Sequence, residues 1–163
     1  MKRLLLILLL LPGCAGWSIN GVPADRFRHM EAKEYAQVAG GIGASFLTHW
    51  IGHAVYLEAE SIEWNQDGFT EWFNTDNLPG YKRQMVGRSG FLMQLLIGTG
   101  LKFSPWKTSL FATGYHACTA AEIISYSTHF HRSGDFFEIN EGGGKGDLEY
   151  FIYSMWTGFL LIP

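Results

Sequence analysis

The sequence has little charge and few cysteines. Charged residues make up 17% of the 163 residues, and the formal net charge is −3. A nucleic-acid-binding surface needs a basic footprint, so no nucleic-acid partner is predicted. Two cysteines exclude a disulfide framework and a zinc site built from cysteine pairs. Hydrophobic residues reach 47%, which excludes disorder for most of the chain.

Strand signals are also scarce. The sequence shows no clear alternation of apolar and polar residues, and no Asn-Gly pair flanked by β-branched runs. Helical patterns predominate instead, with Ser104 and Asp147 as the expected caps of the last two helices. The predicted helices cover residues 31–61, 82–101, 104–128 and 147–161. The predicted fold class is therefore all-α, a compact bundle of about four helices with long polar loops.

The N-terminus has the layout of a signal peptide. Lys2 and Arg3 precede an apolar run from Leu4 to Leu11, which is too short to cross a bilayer as a mature helix. The segment Leu11-Pro12-Gly13-Cys14 resembles the lipobox of bacterial lipoproteins. The resemblance implies cleavage before Cys14, lipid on that cysteine and a membrane anchor.

This resemblance also implies a location. Ala15 and Gly16 follow the cysteine, without an acidic residue there. In two-membrane bacteria that pattern implies the outer membrane, on its periplasmic side. The expected organisation is a signal peptide over 1–13, a tether over 14–29 and one helical domain over 30–163. An ordinary secreted protein cut somewhat later, or an uncleaved apolar N-terminus, are the alternatives.

His49 and His53 form the sharpest local pattern. Residues four apart on a helix project from one face, so these two side chains can share one metal ion. The string is similar to the His-Glu-x-x-His motif of zinc proteases. Trp50 stands where that family has its general-base glutamate, so only the ligand roles carry over.

Two polar stripes extend this pattern. His49, His53, Tyr56 and Glu60 share one face of the first helix; Tyr115, Thr119, Glu122, Tyr126 and His129 share one face of the third. If the stripes face each other, His49, His53, Glu122 and His129 converge. Two or three histidines with one carboxylate suit zinc or iron. A buried hydrogen-bonded network without a metal, and solvated helix faces, are the alternatives.

An acidic, glycine-rich segment covers residues 131–147. Its carboxylates, from Asp135 to Asp147, lack the ligand spacing of an EF-hand. The glycines favour mobility, so a flexible solvated loop is the expectation there.

Three hypotheses of function follow. The first is a lipid-anchored cell-envelope protein with a binding or structural role and a protein or lipid partner. The second is a metal-dependent protein or enzyme, with His49, His53 and Glu122 as ligands of zinc or iron. His129 would then be a fourth ligand or a general acid/base. The third is a small multi-span membrane protein with the stripes lining its interior.

Overall fold

Four long helices and one short helix form the body of the protein. The computed structural model describes residues 18–67, 70–75, 77–126 and 134–163. Its helices are α1 (Ala32–Ala59), α2 (Gly80–Lys102), α3 (Leu110–Tyr126), α4 (Asp135–Glu141) and α5 (Gly146–Leu161). The prediction of a mostly helical fold is confirmed, and α4 is additional to the four predicted helices. The signal peptide and Cys14 lie outside the described residues.

Two short hairpins correct the expectation that strands are missing. The antiparallel pairs are β1 (Ser18–Ile19) with β2 (Val22–Pro23), and β3 (Trp64–Asp67) with β4 (Thr70–Phe73). Asn20 and Gly21 join the first pair with φ of 51° and 77°, the left-handed backbone of a type I′ turn. Strands of two and four residues are too short to show alternation. The Asn20-Gly21 pair between Ile19 and Val22 was nevertheless an available signal of the first hairpin.

The first hairpin lies against the end of the bundle where α3 begins and α5 ends. The backbone N–H of Asn20 donates to the carbonyl of Leu161 at 2.8 Å, and its side chain donates to the carbonyl of Lys107. The described part of the predicted tether is therefore folded onto the bundle. A 3₁₀ turn over Ala24–Arg28 connects it to α1.

Glycines let α1 and α3 approach closely. A Cβ on Gly41 would lie 2.0 Å from the carbonyl oxygen of Phe111, and one on Gly114 would lie 2.3 Å from that of Val38. No larger side chain fits these two positions. The helix α1 continues unbroken past Gly41. The close crossing offsets the helix propensity that the glycines cost, about 1 kcal/mol each.

The third helix begins later than predicted. Ser109 precedes α3, and its hydroxyl accepts a hydrogen bond from the N–H of Ala112 at 3.1 Å, which caps the first turn. Ser104 does not cap α3, because it lies in the turn before the helix, where its hydroxyl accepts from the N–H of Trp106 at 3.1 Å and donates to the carbonyl of Leu101. The last helix also differs, since Lys145 rather than Asp147 precedes it, without a side-chain cap.

The predicted solvated loop over residues 131–147 contains α4. Phe136 and Ile139 of this helix are fully buried in the main core, together with Phe91 and Leu95 of α2. Phe136 stacks on Phe91 with ring centroids 5.2 Å apart. The expectation was wrong because these apolar residues anchor the segment, despite the glycines that follow it.

The helices are shorter or more polar than typical membrane spans. Among the described helices, none combines the required length with the required apolar character.

Candidate functional site

Two histidines of α1 meet inside the bundle. His49 and His53 lie one turn apart on the face that α1 turns toward α2, with exposed fractions of 7% and 1%. Their Nε2 atoms are 3.0 Å apart. The solvated-face alternative is therefore wrong for these two side chains.

Asp135 completes the cluster from the first residue of α4. Its Oδ2 lies 3.1 Å from Nε2 of His49, and its Oδ1 lies 3.3 Å from Nε2 of His53. One ligand atom from each of the three side chains lies within 4.8 Å of the other two. Among the described residues, these three are the histidine and carboxylate side chains that lie close enough together to share one metal ion.

Glycines of α2 make room for the cluster. A Cβ on Gly90 would lie 2.4 Å from Nε2 of His53 and 2.7 Å from Nε2 of His49. A Cβ on Gly87 would lie 2.2 Å from the carbonyl oxygen of Asp135. Both positions accept only glycine, since any side chain would push the histidines or α4 away from α2.

Phe91 of α2 contacts both His49 of α1 and the helix α4 that carries Asp135. Its ring packs edge-on against His49 with centroids 4.7 Å apart, and its stacking on Phe136 fixes the residue next to Asp135. An ion pair of Arg83 with Glu138 at 2.7 Å holds α4 on α2 from the other side. The α4 helix is thus positioned by packing and charge, and Asp135 faces the histidines as a consequence.

Each histidine has a polar group on its Nδ1 side. Glu122 of α3 places Oε1 3.5 Å from Nδ1 of His49, and its Oε2 accepts a hydrogen bond from Gln94 at 2.8 Å. The hydroxyl of Ser89 lies 3.1 Å from Nδ1 of His53 and donates to the carbonyl of Val86 at 3.0 Å. Groups that fix the second ring nitrogen are the usual outer partners of metal-binding histidines.

These contacts indicate which nitrogens carry protons. Burial raises the pKa of the Glu122 carboxyl above its usual range, although the facing His49 and the hydrogen bond from Gln94 lower it. In its ionised form Glu122 can only accept, which favours a proton on Nδ1 of His49. The Ser89 hydroxyl proton is directed at Val86, so its oxygen is free to accept from Nδ1 of His53. With those protons on Nδ1, both Nε2 atoms can offer lone pairs to a bound cation; without a cation, protons on the Nε2 atoms face the Asp135 carboxylate at 3.1 and 3.3 Å.

The charge of Asp135 suits this environment. Burial raises the pKa of its carboxyl, but the facing rings of His53 and His49 lower it by more, so the net pKa lies below its usual range. Tyr126 of α3 also hydrogen-bonds Asp135. The carboxylate is thus ionised at neutral pH and can bind a cation.

The structure describes three of the four ligands predicted from the sequence. His49 and His53 come together as their spacing indicates, and Glu122 reaches the same cluster at the outer nitrogen of His49. His129 lies outside the described residues. Sequence reasoning missed Asp135, which it assigned to a solvated loop. Gly87 and Gly90 lie three residues apart on α2, and this spacing was an available signal that another segment packs closely against the helix there.

Comparisons with known proteins assign neither a family nor a function to the chain. The chain matches no protein-family model, no curated protein and no solved structure.

Proposed function

We propose that this is a metal-binding protein in which His49, His53 and Asp135 hold one divalent transition-metal ion. The observation that carries the proposal is that the two Nε2 atoms lie 3.0 Å apart and each faces one oxygen of the same Asp135 carboxylate, at 3.1 Å for His49 and 3.3 Å for His53. Ligands about 2.0–2.1 Å from a common ion are separated by roughly 3.0–3.4 Å at octahedral to tetrahedral angles. The Nε2–Nε2 distance and both nitrogen–oxygen distances fall within that range, the latter two to different oxygens of Asp135.

Electrostatics supports the same proposal. Two imidazole lone pairs and a carboxylate converge in a buried space, and such a concentration of electron density repels itself in a medium of low dielectric constant. A bound cation replaces that repulsion with three coordinate bonds. Protons on the imidazoles would be the other source of positive charge, and the metal analysis below distinguishes the two.

The ligand set favours zinc or iron(II). Imidazole suits zinc, copper, iron and nickel, whereas calcium and magnesium prefer oxygen ligands alone. Two histidines and one carboxylate are found both in zinc sites with an open position and in non-haem iron sites. The buried cluster contains no thiolate, and Cys118 lies elsewhere on α3.

The three-ligand count also favours a second candidate, a metal-dependent enzyme. Structural zinc sites are closed by four protein ligands, while catalytic sites keep a position for water or substrate. Glu122 lies on the far side of His49, so it orients the ring rather than standing beside the ion. Binding of azide to the cobalt-substituted protein, followed by its visible absorption, would reveal an open position; an unchanged spectrum would favour a closed site.

We further propose that the protein acts at the cell envelope, anchored through Cys14. Support for this comes from the lipobox-like sequence alone. Radiolabelled palmitate should be incorporated into the wild-type chain in a bacterial host, and not into Cys14→Ser. Equal labelling of both would remove the anchor from the proposal.

Metal analysis of the purified protein tests the principal proposal. Protein made without a histidine tag should contain about one equivalent of zinc or iron by plasma mass spectrometry. His53→Ala and Asp135→Asn should lose it, since each removes one of three ligands. A metal-free wild type, even after incubation with zinc and iron(II), would overturn the proposal.

His116→Ala is the matched control. His116 is as buried as His53, but its Nε2 lies 3.0 Å from the carbonyl oxygen of Gly98, away from the cluster. Removing it creates a comparable cavity without touching a ligand, so metal content should stay at the wild-type value. Loss of metal from this control as well would indicate general unfolding rather than ligand loss.

A further inference from the structure

The exposed surfaces of α1 and α5 are apolar over most of their length. From Ala39 to Leu57, the exposed residues of α1 are alanine, glycine or large apolar residues. From Leu148 to Pro163, the same holds for α5. Leu47 and Met155 are typical, with exposed fractions of 50% and 63%. Helices that face water carry polar residues on this side.

The buried face of α1 is largely polar, and α5 buries Thr157 beside Tyr153 and Leu160. Ser45, His49 and His53 are the buried polar side chains of α1, and Thr157 is buried on α5. The hydroxyl of Ser45 is 3.0 Å from that of Thr119, and the Gln94 amide donates to Ser45 at 2.7 Å. On α1 the usual distribution of a water-facing helix is thus inverted, with hydrogen-bonded polar groups inside and large apolar groups outside, while a hydrophobic core fills the bundle elsewhere.

The other two long helices share the pattern. On α2 the large exposed residues are Tyr81, Leu96 and Ile97, and on α3 they are Phe111 and Ile124. An interface with one protein partner or a second copy would concentrate apolar surface on one patch. Here it is distributed over all four long helices.

Charge and aromatic rings mark the ends of the apolar region. On α1 the charged residues lie at its start and at Glu58, and on α5 they lie at Asp147 and Glu149. Tyr35 and Trp106 are exposed at the end of the bundle where α1 and α3 begin. Tyrosine and tryptophan prefer the interface between lipid and water, and charged groups avoid the hydrocarbon.

We infer that the hydrocarbon of a lipid bilayer is the partner of this surface, and that the bundle lies within it. The apolar exposed stretch of α1 measures about 27 Å at 1.5 Å per residue, close to the hydrocarbon thickness of roughly 30 Å. The modest mean hydropathy of each helix follows from the polar residues that face inward, since the mean combines both faces. The close helix crossing at Gly41 and Gly114 is also the kind by which helices pack in lipid.

The test places a nitroxide spin label on each type of surface. The full chain with Cys14→Ser and Cys118→Ala removes the anchor and leaves one labelled cysteine per variant. Leu47→Cys and Met155→Cys report the apolar faces of α1 and α5. Lys33→Cys and Lys145→Cys are controls at the starts of the same helices, both exposed. Each protein is reconstituted with vesicles of phosphatidylethanolamine and phosphatidylglycerol.

Collisions with two relaxing agents then reveal the environment. Oxygen concentrates in hydrocarbon, whereas a water-soluble nickel chelate is excluded from it. Labels at positions 47 and 155 should collide with the chelate about tenfold less often than the controls, because polar solutes partition poorly into hydrocarbon, and more often with oxygen. Equal access of the chelate to all four labels would place the faces in water and overturn the inference. Low access of both agents would place them under protein and overturn it too, as would protein that does not associate with vesicles.

Discussion

Two histidine environments lie within the same bundle, and they differ in what surrounds the ring. His116 is completely buried on α3, and its single polar contact in the described structure joins Nε2 to the carbonyl oxygen of Gly98 at 3.0 Å. His49 and His53 are almost as buried, yet each faces a carboxylate oxygen at 3.1–3.3 Å and the other ring at 3.0 Å. Burial is therefore common to all three histidines, and convergence is what distinguishes the cluster.

Burial alone does not tell whether a histidine belongs to a functional site; the groups that surround its ring do. His116 remains in the core with one hydrogen bond from its ring to a backbone carbonyl, and its Nδ1 has no hydrogen-bond partner among the described residues. Two imidazole rings that face one buried carboxylate need a positive charge, either a proton or a metal ion, between them. Further residues hold His49, His53 and Asp135 in this arrangement. Gly90 makes room for it, Phe91 aligns it, and Glu122 and Ser89 reach the outer nitrogens. No comparable set of positioning contacts is described around His116.

The largest expected effect comes from filling the space that Gly90 leaves. Gly90→Ala would place a methyl group 2.4 Å from Nε2 of His53, so the rings must separate. We expect metal content to fall below a tenth of the wild-type value, and stability to fall by about 1–3 kcal/mol from overpacking. Plasma mass spectrometry and chemical denaturation measure the two effects.

Gly43→Ala is the matched substitution on α1, where an added Cβ meets nothing within 4 Å. It should leave the metal content unchanged and raise stability by about 0.5–1 kcal/mol through helix propensity. Equal metal loss in both variants would show that the Gly90 result is not specific to the cluster.

The next effect is stabilisation by the ion itself. A ligand that binds only the folded state adds RT ln(1 + [L]/Kd), about 2.7 kcal/mol when free zinc is 100 times its Kd. The wild type and His116→Ala should both show an upward shift of Tm with added zinc, and His53→Ala should show none. A zinc-dependent shift of the same size in His53→Ala would mean that the ion binds elsewhere.

The smallest effects concern the outer nitrogens. Glu122→Gln keeps the shape but removes the charge near Nδ1 of His49, and Ser89→Ala removes the acceptor at Nδ1 of His53. Loss of such partners typically weakens metal affinity by about 10–100-fold. Competition with a fluorescent zinc chelator measures this change. Complete loss of binding in Glu122→Gln would instead indicate that Glu122 is itself a ligand, as the spacing of the helix stripes suggested.

The part of the site that lies on one helix could be predicted, and the part that depends on tertiary packing could not. His49 and His53 are four residues apart, and the period of the helix alone places them on one face. Glu122 followed from its polar stripe on α3. Asp135 depends on the docking of α4, which rests on Phe136 stacking on Phe91 and on Gly87 allowing close approach. Those contacts link distant parts of the chain and leave no local periodicity.

The same division applies to the fold. Long apolar segments predicted the four long helices to within a few residues, except at the start of α3. The seven-residue α4 and the short hairpins were missed, because their local patterns are brief and adjacent glycines indicated loops. The Asn20-Gly21 turn is stabilised by contacts with Lys107 and Leu161, far along the chain.

The central claim, that His49, His53 and Asp135 bind one metal ion, is tested most directly by X-ray absorption at the zinc edge of the zinc-loaded protein. The account predicts two imidazole ligands at about 2.0–2.1 Å and additional oxygen ligands at about 2.0–2.2 Å, and loss of this zinc environment in His53→Ala. A spectrum without imidazole scattering, or one that His53→Ala leaves unchanged, would contradict it.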